Sequence, residues 1–314
     1  MSVSVIEAVS GALARTRRVL FDPFDLGKWF VLGFAAWLAH LGEGGGFRGN
    51  FPSGGGGGRG GRGGGGSPFE NEYLWVQENL ALVIVGVCAL VAIVFVIGLV
   101  VLWLQSRGKF MFLDNVARNR AAVVEPWHRL RILGNSLFWF RLVLGLAGLA
   151  VAVLIAALGV AIAWHDIQAE KFGPYAIAGI VAGVMLLVPF VLVANLIHSM
   201  TEDFVVPAMY LRGVRTLAGW GIAWREVIAA HFWAVVLFYL LKIALGFAAG
   251  LLVMAAFCVT CCLLCCLTAI PYLGTVALLP LLVFWRCYSL CFLEQLGGSW
   301  RVFTDESIPP LPAA

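Results

Sequence analysis

The chain has 314 residues, 61% of them hydrophobic and 12% charged, with a mean hydropathy of +0.95 and a formal net charge of +4. Soluble domains average roughly 45–50% apolar and about 25% charged residues, and a single core of this chain length cannot hide so much apolar surface. An ordinary soluble domain is therefore excluded, and the composition predicts an all-α, multi-pass integral membrane bundle.

Residues 1–27 carry Glu7, Arg15, Arg17, Arg18, Asp22 and Asp25 and lack the apolar stretch of a signal peptide. Val5, Val9, Ala12 and Leu20 share one side at helical spacing, with Arg15 and Arg18 expected away from it. This predicts a short amphipathic helix lying in the membrane interface. Phe21-Asp22-Pro23 ends it, because the residue before proline disfavours helix.

A bilayer core of about 30 Å needs roughly 20 apolar residues per helix. Six segments meet this need, at about 28–42, 80–104, 136–164, 175–199, 231–256 and 272–293. Between the first two, 42–67 is dominated by glycine, with 16 glycines among the 25 residues of 42–66. A segment with so little apolar surface to bury cannot offset its chain entropy, so disorder is expected there. Glu70, Glu72 and Glu78, with Tyr73 and Trp75, lead into the second span.

With Arg286 at the end of the sixth span, fifteen of the 21 basic residues fall on the side holding the N-terminus up to Lys28, 105–133, 200–230 and the tail at 295–314. The positive-inside rule then places both termini in the cytoplasm and the glycine tract outside. Internal similarity is visible as well. Ser106 and Ser199 lie 93 residues apart, as do Trp127 and Trp220; Phe138-Trp139 and Phe232-Trp233 open two of the spans. Within one membrane domain this suggests three tandem units, 1–104, 105–199 and 200–294.

The connectors are predicted to be helices lying on the cytoplasmic leaflet. Asp114 and Arg118 are spaced i,i+4 and can pair. Pro126 suits the first turn of a further helix. Arg118, Arg120, Arg129 and Arg131 are the candidate lipid-headgroup contacts, each basic residue near an anionic surface gaining about 1 kcal/mol.

Ionisable groups within spans are scarce. Arg141 lies near the start of the third span, where it is expected to snorkel to the interface. Lys242 lies deeper in the fifth and needs a partner, for which Glu294 or a helix-end carbonyl is a candidate. With Asn195 and His198 at the end of the fourth span, Lys242 forms the candidate intramembrane polar site. Pro189 and Pro280 should kink the fourth and sixth spans. Gly179-x-x-x-Gly183 and Gly246-x-x-x-Gly250 allow close helix approach, within one bundle or between copies.

Five cysteines occur between 258 and 266. Cys258, Cys262 and Cys265 share a helical face and are the weak candidates for a soft metal. No histidine or carboxylate is near them in sequence, and packing is the commoner use of cysteine in such a segment. The two arginines of Arg59-Gly-Gly-Arg62 are too few for phosphate-backbone binding, so nucleic acid is not expected as a partner. No P-loop, HExxH or Ser-His-Asp arrangement occurs. No cofactor and no enzymatic activity are expected.

Phe21-Asp22-Pro23-Phe24-Asp25-Leu26-Gly27-Lys28-Trp29-Phe30, the glycine tract, Ser106-Arg107-Gly108-Lys109-Phe110 and Asp114-Asn115-Val116-Ala117 resemble a group of uncharacterised bacterial six-span proteins. More distantly, the pattern is similar to the membrane domain preceding some glycerophosphodiester phosphodiesterases. The resemblance implies an inner-membrane protein with interfacial helices between spans. It carries no activity, because the catalytic domain and its paired acidic metal ligands are absent from this chain. The expected function is non-enzymatic: organising the membrane, binding anionic lipid, or serving as a subunit with a membrane partner or a second copy. The alternative is a permease-like protein with its site among the fourth to sixth spans.

Overall fold

A computed structural model describes residues 4–42, 80–169, 171, 173–260 and 270–303, and the described residues form helices and turns without a strand. The glycine tract, the lead at 70–78 and the tail beyond 303 lie outside the described residues.

Helix α1 (Val5–Phe21) starts at Ser4, whose hydroxyl accepts from the Glu7 N–H at 3.3 Å, with Glu7 favourably placed in the first turn. Its buried stripe is Val5, Ala8, Ala12, Arg15, Thr16, Val19 and Leu20. The helix does not lie apart in an interface. It packs along the last helix, and Arg15 is inside rather than outside. Position 15 continues the 8–12–19 face, and its charge is met by Glu294 at 3.0 Å and by the Phe303 ring at 3.7 Å.

Helix α2 (Leu26–Ala39) is capped by Asp25, whose carboxylate accepts from Gly27 N–H at 2.8 Å. At 14 residues it is about 21 Å long, short of a bilayer core. It runs antiparallel to the far half of α3 (Leu80–Ala117). Lys28 Nζ donates to Asn119 Oδ1 at 2.7 Å at one end, and Leu38 and Ala39 press against Gly108 at the other. A Cβ on Gly108 would lie 2.6 Å from Leu38 C and Ala39 N, so only glycine permits this approach.

The 38 residues of α3 span about 57 Å, well beyond the hydrocarbon thickness. Its two halves differ. From 80 to 100 it is apolar and exposed nearly throughout; from Gln105 to Ala117 every residue but Arg107 is buried. The first connector is therefore not a separate helix on a leaflet. It continues the second span into a packed core, because nothing between 104 and 117 breaks the helix and the residues there are large and apolar enough to bury.

After the short α4 (Val124–Arg129), α5 (Arg131–Gln168) and α6 (Pro174–Met200) form a long hairpin. Gly159 and Gly179 meet within it: a Cβ on Gly179 would lie 2.5 Å from Gly159 O. This places Gly179 in packing inside the chain, whereas Gly183 and Gly246 have nothing within 4 Å of an added Cβ. Pro189 lies inside α6. The Asp166 carboxylate closes the hairpin by accepting the Ala176 N–H at 2.7 Å.

Helix α6 passes without a break into a π-helical turn, Thr201–Val205, and then α7 (Val206–Arg212), ended by Gly213 in the left-handed region at φ 64°. Helix α8 (Thr216–Ile222) and a second π-helical turn (Ala223–Ile228) lead to α9 (Phe232–Val259). The sixth apolar segment is divided into α10 (Pro271–Ala277) and α11 (Leu279–Glu294), which meet at Leu278. Pro280 falls in the first turn of α11 rather than kinking a continuous span, the position where a missing N–H costs nothing.

Four helices are long and apolar enough to cross a membrane: Leu80–Ala117, Arg131–Gln168, Pro174–Arg212 and Phe232–Val259. The first and sixth apolar segments instead make shorter helices packed side by side. Tyr272 donates to Phe30 O at 2.8 Å, and a Cβ on Gly33 would touch Val276 at 2.6 Å. The core lies at one end of the long helices, built from α1, α2, α11, the far half of α3 and the 201–209 region. At its centre Phe238 stacks on Tyr288 at 4.6 Å, with Phe204 and Phe292 around them.

Candidate functional site: two charge networks at the base of the spans

The described residues concentrate charge in two places, both at the core end of the long helices. The first is centred on Asp114, which is fully buried near the end of α3. Arg118 Nε lies 3.2 Å from Asp114 Oδ1, the i,i+4 pair expected from spacing. Arg120 Nη2 donates to Oδ2 at 2.8 Å, Arg129 Nη2 donates to Oδ1, and the Tyr210 hydroxyl donates to Oδ1 at 2.6 Å. The loop delivers Arg120 because Asn119 takes a positive φ of 51° and Asn115 clamps Ala122 with two hydrogen bonds, at 2.8 and 3.0 Å.

Arg120 also donates to Glu125 at 2.7 and 3.0 Å. This bond holds the Glu125 carboxyl below the usual carboxylate range and raises Arg120 in return. Three of the four proposed headgroup arginines thus share one buried carboxylate, a convergence that linear spacing does not show. Arg131 is exposed and close enough to Arg107 for their charges to repel. Arg107 lies over the Trp103 and Trp127 rings at 4.4 and 5.0 Å and bonds Asn135. Aromatic rings of this kind favour the level where hydrocarbon meets headgroups.

The second network is centred on the π-helical turn. Glu202 Oε1 receives Arg141 Nη2 at 2.7 Å, His198 Nε2 at 3.1 Å and Lys109 Nζ. Arg141 also donates to Gln105 Oε1 at 3.2 Å, and Arg286 donates to the Glu202 carbonyl at 2.9 Å. Lys242 Nζ donates to Asp203 Oδ2 and sits against the Phe238 and Tyr239 rings at 5.9 and 5.8 Å. Arg141 does not snorkel, and Glu294 is not the partner of Lys242. Both cations find carboxylates on the 201–205 turn, while Glu294 is taken by Arg15.

The candidate polar site is thereby redrawn. Lys242 and His198 belong to neighbouring halves of one network, while Asn195 lies on an exposed part of α6 about one turn before His198. Sequence reasoning passed over Glu202, Asp203 and Lys109. The available signal was an acid pair directly after a long apolar run, at the depth where Arg141 and Lys242 needed partners. Of the weak metal candidates, Cys258 is exposed on α9 as a free thiol, and Cys262 and Cys265 lie outside the described residues. Cys287 and Cys291 are buried free thiols in α11. Among the described residues no three metal-ligating side chains converge.

A bundle of long apolar helices gathered on a charged, close-packed base defines a helical membrane protein. The chain belongs to a family of unknown function, DUF7544, which it matches over residues 3–294. No curated protein and no solved structure matches it.

Proposed function

We propose that this is a non-enzymatic bacterial inner-membrane protein whose base binds anionic lipid and so organises the membrane around it. The observation that carries this is the arginine cluster at the end of the apolar run of α3. Five cations, Arg107, Arg118, Arg120, Arg129 and Arg131, face two carboxylates, Asp114 and Glu125, beside the Trp103–Arg107–Trp127 stack. Asp114 fixes three of these guanidinium groups in place, yet their side chains remain 28–39% exposed. A preorganised, partly exposed excess of positive charge at headgroup level attracts phosphate at little entropic cost.

The test leaves two arginines, Arg120 and Arg129, on Asp114. In nanodiscs of mixed phosphatidylcholine and spin-labelled phosphatidylglycerol, Arg118→Gln/Arg131→Gln should reduce phosphatidylglycerol enrichment around the protein about twofold to fivefold. Equal enrichment for wild type and variant would refute the proposal. A permease-like site is the second reading, favoured by the Lys242–Asp203 pair beside a π-helical turn, a geometry frequent at functional sites. Lys242→Met would abolish flux on that reading; a stable variant with unchanged flux would remove it.

A further inference from the structure

The five arginines near the end of α3 divide by what holds them. Arg118, Arg120 and Arg129 share Asp114, and Arg120 and Arg129 also face Glu125 at 2.7 and 3.8 Å. Arg107 and Arg131 have no carboxylate partner among the described residues. Arg107 is held by neutral groups instead. Its Nε and Nη2 both donate to Asn135 Oδ1, at 3.2 and 3.1 Å, and Trp103 Nε1 donates to the same oxygen at 3.2 Å. The guanidinium rests over Trp103 and Trp127, which meet edge-on at 5.8 Å. Helix α5 comes this close because residue 134 is glycine: a Cβ there would lie 2.8 Å from Arg107 Cγ. Two rings and one amide thus fix the group, and Nη1 is left without an acceptor among the described residues. A guanidinium held in this way loses little further entropy on meeting an anion.

Arg131 is the second cation. It is exposed, it forms no hydrogen bond or ion pair among the described residues, and its charge repels that of Arg107. It also opens α5, whose first turn carries no acid and whose dipole disfavours a cation there. Two like charges drawn together without an acid are stabilised by an anion that bridges them, and phosphate oxygens suit the guanidinium fork. The surroundings say which phosphate. Trp103 and Val100 precede Arg107 by four and seven residues on α3, and Asn135 and Trp139 follow Arg131 by four and eight on α5. Each arginine therefore stands at the foot of a stripe that climbs into an apolar run. Val100 is 51% exposed and Trp139 63%. A lipid can leave its phosphate at the arginines, its glycerol at the tryptophan rings and its acyl chains along the stripes. A zwitterionic headgroup would bring a cation of its own toward the pair. We infer that Arg107 and Arg131 together hold one phosphate group, supplied by the headgroup of an anionic phospholipid, with Arg118, Arg120 and Arg129 adding attraction but no contact. The inference rests on the lipid-binding reading above and narrows it to one site.

The full chain is placed in phosphatidylcholine nanodiscs with a small share of spin-labelled phosphatidylglycerol, and the motionally restricted lipid is measured. Arg131→Gln alone should lower phosphatidylglycerol enrichment about twofold to fivefold, as much as Arg118→Gln/Arg131→Gln does. Arg118→Gln alone should leave it near the wild-type value, and spin-labelled phosphatidylcholine should show no enrichment. Because Arg131 makes no bond among the described residues, its variant should keep the wild-type Tm in detergent. A lowered Tm would give Arg131 a structural role and count against the site. Unchanged enrichment in Arg131→Gln, with a loss in the double variant, would overturn the site and leave the broader lipid-binding reading standing. Equal losses from the two single substitutions would do the same. No phosphatidylglycerol enrichment in the wild type would overturn that broader reading and the lipid source together. If inorganic phosphate then raised the Tm of the wild type but not of Arg131→Gln, the pair would remain a phosphate site for a free anion. If it raised neither, the site would fall as well.

Discussion

Asp114 shows how one buried carboxylate orders a surface. Its oxygens face three arginines and a tyrosine hydroxyl from three separate stretches of chain. Removing the charge of a buried group leaves its partners uncompensated, which costs about 3–5 kcal/mol when those partners are also buried. Here they are partly solvated, so Asp114→Asn should cost about 2–3 kcal/mol, read as a lowered Tm in detergent. Arg118→Gln, at an exposed position with two arginines left on Asp114, should cost under about 1 kcal/mol. Glu125 supplies a pH test. Its folded pKa is depressed by the Arg120 bond, so its contribution is present above the unfolded carboxylate value of about 4.3 and is lost as pH falls through the folded value. Wild type should therefore exceed Glu125→Gln in Tm near neutrality, and the difference should shrink as pH falls below the unfolded carboxylate value. The i,i+4 pairing of Asp114 with Arg118 was legible from spacing. The shares of Arg120, Arg129 and Tyr210 were not, because each depends on where a turn or a distant helix delivers the side chain.

Among the elements, α2 and α11 show how far apolar content falls short of fixing placement. Both segments are apolar, and both end up as short helices packed against chain that continues beyond the spans. What decides this is local. Helix α2 is stopped at 14 residues by the Gly42 turn, and the sixth segment is divided at Leu278 with Pro280 starting a new helix. Close packing of α2 on α3 depends on Gly108. Gly108→Ala should force the two apart and cost about 1–3 kcal/mol, because the atoms in the way are backbone. Gly98→Ala on the same helix, with nothing within 4 Å, should change stability by less than about 0.5 kcal/mol. Similar losses at both positions in a thermal unfolding assay would contradict the described α2–α3 contact. The helical spacing of Val5, Val9, Ala12 and Leu20 in α1 was readable in sequence. That its Arg15 faces inward was not, since a charged residue on an apolar face is tolerated only where a partner, here Glu294, arrives from the other end of the chain.

For the molecule as a whole, the apolar length of α3 between 80 and 100 is exposed nearly throughout among the described residues, and the far half of α9 exposes Phe247, Leu251, Leu252 and Val259. Lipid is the solvent such surfaces require. Cys88, an exposed free thiol in that part of α3, gives a direct probe. A nitroxide there, in an otherwise cysteine-free variant in bilayers, should collide frequently with oxygen and rarely with a water-soluble nickel chelate. The reverse order would put this helix beside water. Residue composition and the length of apolar runs were enough to specify an all-α membrane protein with long spans, because the energy of hydrocarbon contact depends on how many apolar residues follow one another and not on their neighbours in space. Which apolar runs become long helices, where the basic stretch after residue 104 goes, and which acid meets which base were decided by tertiary packing alone. Ion pairs act over a few ångströms, and the partners here lie from 4 to 279 residues apart in the chain.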